Sequence, residues 1–374
     1  MLTVKRTHLR RLMLGMILLV VLVVLVAGTL HYFFGPFPLQ WGAHSDTPAP
    51  LACWPWSKAT IDAPHPGVTH WIDHSSPDGT VVEFFDFDFH QNPGLRLELY
   101  DQDEDDQIPY DDHATFWSQG VGQVTRHLNQ SRRGTVVAAW NGLFFQYTGA
   151  GRSRVGRHVA PIVLQRRPHY NLGNIRWTFG VKYQRNRPVF NVFFQQPSSA
   201  SAEAFDYAAA GASCLVYQGR PLRLEPFPKP GEDPLPPSKS SSPDEAGFVR
   251  QVDHIRTSRT SMAWSKDQRH FYLLIVKDPG SEYASIAALS HQIPLMGGWT
   301  VADLQRFWQQ QGAWCAVNID GGDVTQMTAL RSDGHYDMVP PRWGDRRMRC
   351  TFAPDFVNAP AGGTMMYFYV RDRK

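Results

Sequence analysis

The chain lacks nearly all the short patterns that mark well-known catalytic and metal sites. No CxxC, HExxH, GxSxG or Walker A sequence occurs in its 374 residues, so zinc sites, nucleophile elbows and phosphate loops of those types have no support. Cysteine is scarce, with Cys53, Cys214, Cys315 and Cys350 the whole set. Net charge is scarce too. The 37 Lys and Arg against 34 Asp and Glu leave +3, and the first thirty residues hold Lys5, Arg6, Arg10 and Arg11 with no acidic residue, so the remainder carries −1. A nucleic-acid surface needs a basic stripe on the folded part, and the basic excess lies elsewhere; nucleic acid is not an expected partner.

What is present begins with an uncharged apolar stretch from Leu12 to Leu30 behind those four basic residues, long enough to cross a hydrocarbon core. It predicts a single-pass membrane protein, with residues 1–31 as cytoplasmic flank and transmembrane anchor and the C-terminal domain extracytoplasmic. Cleaved secretion after Leu25-Val26-Ala27 is the competing reading. Residues 32–66 are rich in Pro, Gly and Trp and read as a spacer. Residues 67–374 form the main domain, with a Pro/Ser-rich surface insertion at 225–245. An even cysteine count in an exported chain fits one or two disulfides, but the spacing selects no pairing, and Cys315 in its apolar run reads equally as a small buried hydrophobe.

Alternating segments at Val81 to Phe89, Leu95 to Tyr100, Val189 to Phe194 and Phe271 to Val276 predict many strands, while helical signals are few. Thr300 as N-cap, Asp303 three residues on, and Val301, Leu304, Phe307 and Trp308 on one face predict a helix ended by Gly312. A second helix is predicted over Asp112 to Leu128, weakened by Gly120 and Gly122. The expected fold class is α+β: a strand-rich mixed domain with a few flanking helices, preceded by one N-terminal transmembrane helix.

Three sequence clusters carry candidate chemistry. Trp314 to Ile319 is an apolar strand-like run that stops at Asp320-Gly321-Gly322-Asp323, leaving a carboxylate at a rigid strand end. Thr135 to Trp140 likewise runs into Asn141-Gly142, where a plain hairpin turn is the competing reading. Arg256-Thr257-Ser258-Arg259-Thr260 combines guanidinium forks with hydroxyls, which suits phosphate or carboxylate, and enters the Phe271 to Val276 segment through a turn at Ser265 to Gln268. The acidic run Asp101 to Asp106 lacks the glycine of a calcium loop at its sixth place and reads as solvated. Asn129-Gln130-Ser131 fits a glycosylation acceptor.

In order and spacing, Asn141-Gly142-Leu143-Phe144-Phe145, Arg259-Thr260, Gly298-Trp299-Thr300 and Asn318-Ile319-Asp320-Gly321-Gly322 resemble the phosphodiester glycosidase family over residues 67 to 370. The family pattern is Asn-Gly-Gly-Phe-Phe, Arg-Thr, Gly-Leu-Thr and Asn-Leu-Asp-Gly-Gly-Gly-Ser-Ser. The resemblance implies cleavage of the bond between a sugar anomeric carbon and a phosphodiester in a glycan or glycolipid. It implies Asp320, Arg259 and Asn141 as catalytic residues, with Thr260, Asn318, Gly142, Gly321, Gly322 and Asp323 binding substrate. No cofactor is required; a calcium or magnesium ion at Asp320 and Asp323 is the expected metal alternative. This sequence departs from the pattern at Leu143, Asp323, Val324 and Thr325, changes expected to touch the ligand surface. They motivate the alternative of an inactive relative that binds anionic glycans. A tethered structural protein presenting its twelve tryptophans to partners is a third reading. The sequence leaves oligomeric state open.

Overall fold

The computed structural model describes residues 21–22, 58–102, 114–115, 119–131, 134–148, 155–158, 160–169, 177–193, 204–222, 224, 256–278, 297–341, 350–353 and 364–373. Within them the chain forms two stacked antiparallel sheets with one helix on each outer face. The larger sheet runs Thr60–His65, Val68–Asp73, Val81–Asp88, His270–Lys277, Arg259–Trp264, Cys315–Asn318, Tyr207–Tyr217, Trp177–Gln184 and Arg187–Phe193, with three short strands at its margins. The smaller runs Cys350–Phe352, Tyr336–Val339, Met327–Leu330, Thr135–Asn141, Met366–Asp372 and Leu95–Asp101. A three-stranded sheet joins Ala114–Thr115, Val155–His158 and Phe145–Thr148.

The sheets pack through an aromatic core. Trp140 of the smaller sheet lies 6.3 Å from Phe87 and 6.2 Å from Phe271 of the larger, ring centre to ring centre. Phe179 meets Phe368 across the same space at 5.8 Å. Fully burying an aromatic side chain stabilises by roughly 1.5–3 kcal/mol, so these rings contribute much of what holds the layers together. Strands covered on both sides read as continuous apolar runs rather than alternating ones. Thr135–Asn141 shows this, with Val136 and Ala139 against one helix and Val137, Ala138 and Trp140 in the inter-sheet core. Val137 and Ala138 share a face because the register slips there: Val370 pairs with Ala138 but Arg371 with Val136.

The helix Val301–Gln310 buries Val301, Leu304, Phe307 and Trp308 on the outer face of the larger sheet, against Val82, Leu274 and Ala316. Its capping box is formed: Thr300 Oγ1 accepts from the Asp303 backbone at 3.1 Å, and Asp303 Oδ2 accepts from the Thr300 backbone at 3.0 Å. Thr300→Ala is expected to cost about 1 kcal/mol, read as a lower urea midpoint with unchanged slope. The helix predicted over Asp112 to Leu128 begins later, at Val121, and runs to Ser131. Ala114 and Thr115 pair with Gly156 and Val155 as strand instead. The glycine pair sets the boundary: Gly120 N donates to Gln123 Oε1, and the first helical amide, Val121, donates to Gln326 Oε1 at 3.0 Å.

Several expectations are corrected. A membrane crossing needs about twenty consecutive apolar helical residues, and no helix among the described residues is long and apolar enough. Of Leu12 to Leu30 only Val21 and Leu22 are described, and the rest lies outside the described residues. The transmembrane anchor, the single-pass localisation and the membrane as a partner are therefore withdrawn. The 225–245 insertion and Asp103 to Asp106 also lie outside the described residues, whereas Asp101 is fully buried at a strand end and its Oδ1 bonds His158 Nε2 at 3.0 Å. Asn129 is engaged rather than open: Oδ1 accepts from Val136 N at 2.8 Å and Nδ2 donates to Tyr336 OH at 2.9 Å.

Cys214 and Cys315 are free and buried, which rules out two disulfides. Burial pushes the Cys315 thiol up to about 11 and that of Cys214 well above its ordinary value. A thiol reagent at neutral pH is expected to leave both unmodified in the native protein and to label both in denaturant, counted by mass spectrometry.

Candidate functional site

Two strand ends, one from each sheet, meet at Asn141 and Asp320. The buried amide of Asn141 joins them: Nδ2 donates to the backbone oxygen of Asp320 at 2.8 Å. Its Oδ1 accepts from Thr260 Oγ1 at 2.8 Å and from Gln326 N at 3.2 Å. The backbone repeats the link, since Asp320 N donates to Gly142 O at 3.3 Å, while Gly142 N donates to Met366 O at 2.8 Å. Asn141-Gly142 is thus not a hairpin turn; Phe145–Thr148 pairs with Val155–His158 and not with Thr135–Asn141.

The Asp-Gly-Gly turn lies directly on the chain entering the Arg259–Trp264 strand. Gly322 N donates to Ser258 O at 2.8 Å, and a β-carbon on Gly321 would stand 2.8 Å from that same oxygen. Only glycine allows this approach. Gly321 N in turn donates to Asp320 Oδ1 at 2.8 Å, which orients a carboxylate that is only half-buried. Asn318 is buried two residues earlier, opposite Ser261 and Ser213 in the neighbouring strands.

Arg259, 2% exposed, donates from Nε to Trp299 O at 2.9 Å. Trp299 is held by a two-way backbone bridge to Thr257. Gly298, just before it, has φ +70 and sits where any side chain would strike the Thr257 carbonyl, which gives the Gly-Trp-Thr segment its physical requirement. Arg256 pairs with Asp78 at 3.1 Å. Burial opposes ionisation of Asp78, but bonds from Ser76 and Thr80, together with the Arg256 charge, hold its carboxyl below the ordinary value.

The structure therefore brings Asn141, Gly142, Thr260, Asp320, Gly321 and Gly322 into one bonded network, with Arg259 and Asn318 on the adjoining strands. Sequence reasoning missed two members, Asp278 and Lys277. Ser258 donates from N and from Oγ to Asp278 Oδ2, both at 2.7 Å. Lys277, fully buried, donates to Thr325 O at 2.8 Å and Pro340 O at 3.0 Å. The available signal was a Lys-Asp pair closing the otherwise apolar Phe271 to Val276 run, since buried charge without purpose is costly. Asp323 lies in the single turn Gly322–Val324, and its side chain is outside what is described. Leu143, Val324 and Thr325 are buried at 0%, 6% and 0% exposure. Leu143 packs into the inter-sheet core. Among the described residues no group of three or more His, Cys, Asp or Glu is arranged to hold a metal ion.

The two stacked antiparallel sheets form a fold that resembles, at a distance, that of a phosphodiester glycosidase. In particular, the chain is similar in structure to the catalytic domain of zebrafish N-acetylglucosamine-1-phosphodiester alpha-N-acetylglucosaminidase, there auto-inhibited by its pro-peptide. The likeness covers 90% of this chain and 97% of that one, at a TM-score of 0.50 and 11% identity. At that identity the likeness is one of fold. Proteins from Synechocystis and Burkholderia pseudomallei K96243 match over 82% and 78% of this chain and 62% and 74% of their own, at 13% and 12% identity. Both have a TM-score of 0.43 and carry no argument. No family model and no curated protein matches the sequence.

Proposed function

We propose that this domain is a hydrolase of sugar-1-phosphodiesters, cleaving between the anomeric carbon and the phosphate oxygen. The observation that carries the reading is the Asn141 staple, Thr260 Oγ1 to Asn141 Oδ1 and Asn141 Nδ2 to Asp320 O, which fixes Asp320 at the junction of two sheets. The bond breaks through an oxocarbenium-like state, so a carboxylate close to the anomeric carbon stabilises developing positive charge or takes a proton from the attacking water. The leaving phosphodiester is a weak base and needs little general-acid help. It needs compensation of negative charge, and the buried guanidinium of Arg259 and ammonium of Lys277 place two cations around the turn.

The geometry refines the expected roles. Asn141 and Thr260 spend their side-chain bonds on each other and on the scaffold, so they act as positioning residues; the half-buried carboxylate of Asp320 takes the role of facing substrate. The described donors offer a metal one carboxylate, Asp320, and no step is derived through an ion. The test is a panel of sugar phosphodiesters, with and without chelator, comparing the native protein with Asp320→Asn. Turnover lost in the variant supports the reading. Glycan binding with no turnover by the native protein would replace it with the binding-module alternative.

A further inference from the structure

Four arginines converge on a cavity remote from Asp320. The cavity, about 410 Å³, is lined by Arg96, Arg166, Arg371, Arg373, Tyr183 and Asp206, with other polar side chains between them. Arg96 and Arg371 face each other across adjacent strands, four residues along Met366–Asp372 from Tyr367, the partner of Asn141. That places the two sites roughly 13 Å apart along one strand.

Arg371 and Arg373 both bond Glu98 Oε1, at 2.9 and 2.6 Å, so one carboxylate oxygen is shared by two guanidinium groups, while Tyr369 OH takes Oε2 at 2.6 Å. Arg166 pairs with Asp206 at 2.9 Å. Among the described residues, these four guanidinium groups stand near the carboxylates of Glu98 and Asp206. Arg96 is the unusual member, 8% exposed and in no ion pair with an acid among the described residues. Its hydrogen bonds leave from Nη1 alone, to Pro93 O and Leu95 O, and its guanidinium stacks 4.9 Å over the ring of Tyr183. Nε and Nη2 are left for a ligand in the cavity. Burial, and then the nearby Arg373 and Arg371, lower the Arg96 guanidinium from its ordinary value, a strain that a bound anion relieves. Tyr183 cannot serve as that anion, because burial raises its phenol.

We propose that this cavity binds the phosphate monoester of a small molecule, independently of the Asp320 site. Four guanidinium groups around one cavity suit a phosphate monoester, which carries about −1.5 to −2 at neutral pH, better than a singly charged carboxylate. The planar fork of Arg96 presents two donors to two phosphate oxygens. The volume suits a small sugar-phosphate-sized ligand.

Calorimetric titration with inorganic phosphate, with a hexose 6-phosphate and with the neutral hexose tests the proposal, alongside co-sedimentation with phosphatidate and phosphatidylcholine vesicles to distinguish a soluble ester from a lipid headgroup. The expected result is saturable binding of both phosphates and none of the hexose. Arg96→Gln should weaken binding at least tenfold and leave sugar-phosphodiester turnover unchanged. Arg166→Glu reverses an exposed charge at the cavity rim, and should weaken binding several-fold even if Arg96→Gln proves unstable. Phosphate binding unchanged in both variants, or no saturable binding, would overturn the proposal. If turnover is absent from the native protein while Arg96-dependent binding persists, the proposed hydrolysis fails and this cavity stands.

Discussion

Asp320→Asn is expected to lower turnover of a susceptible sugar phosphodiester by about a thousandfold, within the range associated with a single positioned acid or base. Asparagine matches aspartate in shape, and its side-chain oxygen can still accept from Gly321 N. The bond that ties the turn to Asn141 uses the backbone oxygen of residue 320, so the substitution leaves it in place. The change therefore isolates the charge, and kcat and kcat/KM should fall together, the pattern for an interaction made in the transition state. The melting temperature should move by no more than a few degrees. A variant with native turnover would remove Asp320 from the chemistry, and a chelator-sensitive residual rate would point to an ion at the turn.

Asn141→Ala should be the most damaging single change to stability at the site. Its side chain is fully buried and serves Thr260 Oγ1, Gln326 N and Asp320 O at once. Truncation leaves three buried polar groups without this partner, each costing about 1–3 kcal/mol, for a total on the order of 3–5 kcal/mol after relaxation. Urea unfolding measures it directly. A loss under 1 kcal/mol would mean that the two sheets are joined at this point by other contacts. Because the residue also positions Asp320, turnover should fall even at temperatures where the variant remains folded. A rise in KM with unchanged kcat would instead indicate direct contact with substrate.

The legible parts of this fold were those where local pattern and tertiary packing agree. Thr300 and Asp303 with their four apolar partners predicted a helix that formed within a residue of its expected ends. Phe271 to Val276 and Val81 to Phe89 lie in strands that pair with each other residue for residue. Within Asp112 to Leu128, Ala114 and Thr115 are strand rather than helix because pairing with Gly156 and Val155 overrides the helical pattern. At the site, strand ends closing on Asn-Gly and Asp-Gly-Gly were visible as local breaks. That one amide would bond both Thr260 and the Asp320 backbone was not, because such a contact joins residues far apart in the sequence. Lys277 was overlooked since an isolated lysine after an apolar run usually marks a solvated end.

The place of the Met366–Asp372 strand affects how the molecule comes into being. It is late in the sequence yet internal to the smaller sheet, between Leu95–Asp101 and Thr135–Asn141. Arg371 reaches Glu98 across 273 residues of chain. During synthesis the earlier strands must therefore wait, apolar and unpaired along facing edges, until this segment leaves the ribosome. Pairing at such separation is slow, and the waiting edges are open to aggregation in the meantime. Truncation ahead of Met366 is therefore expected to leave Leu95–Asp101 and Thr135–Asn141 without the strand that joins them.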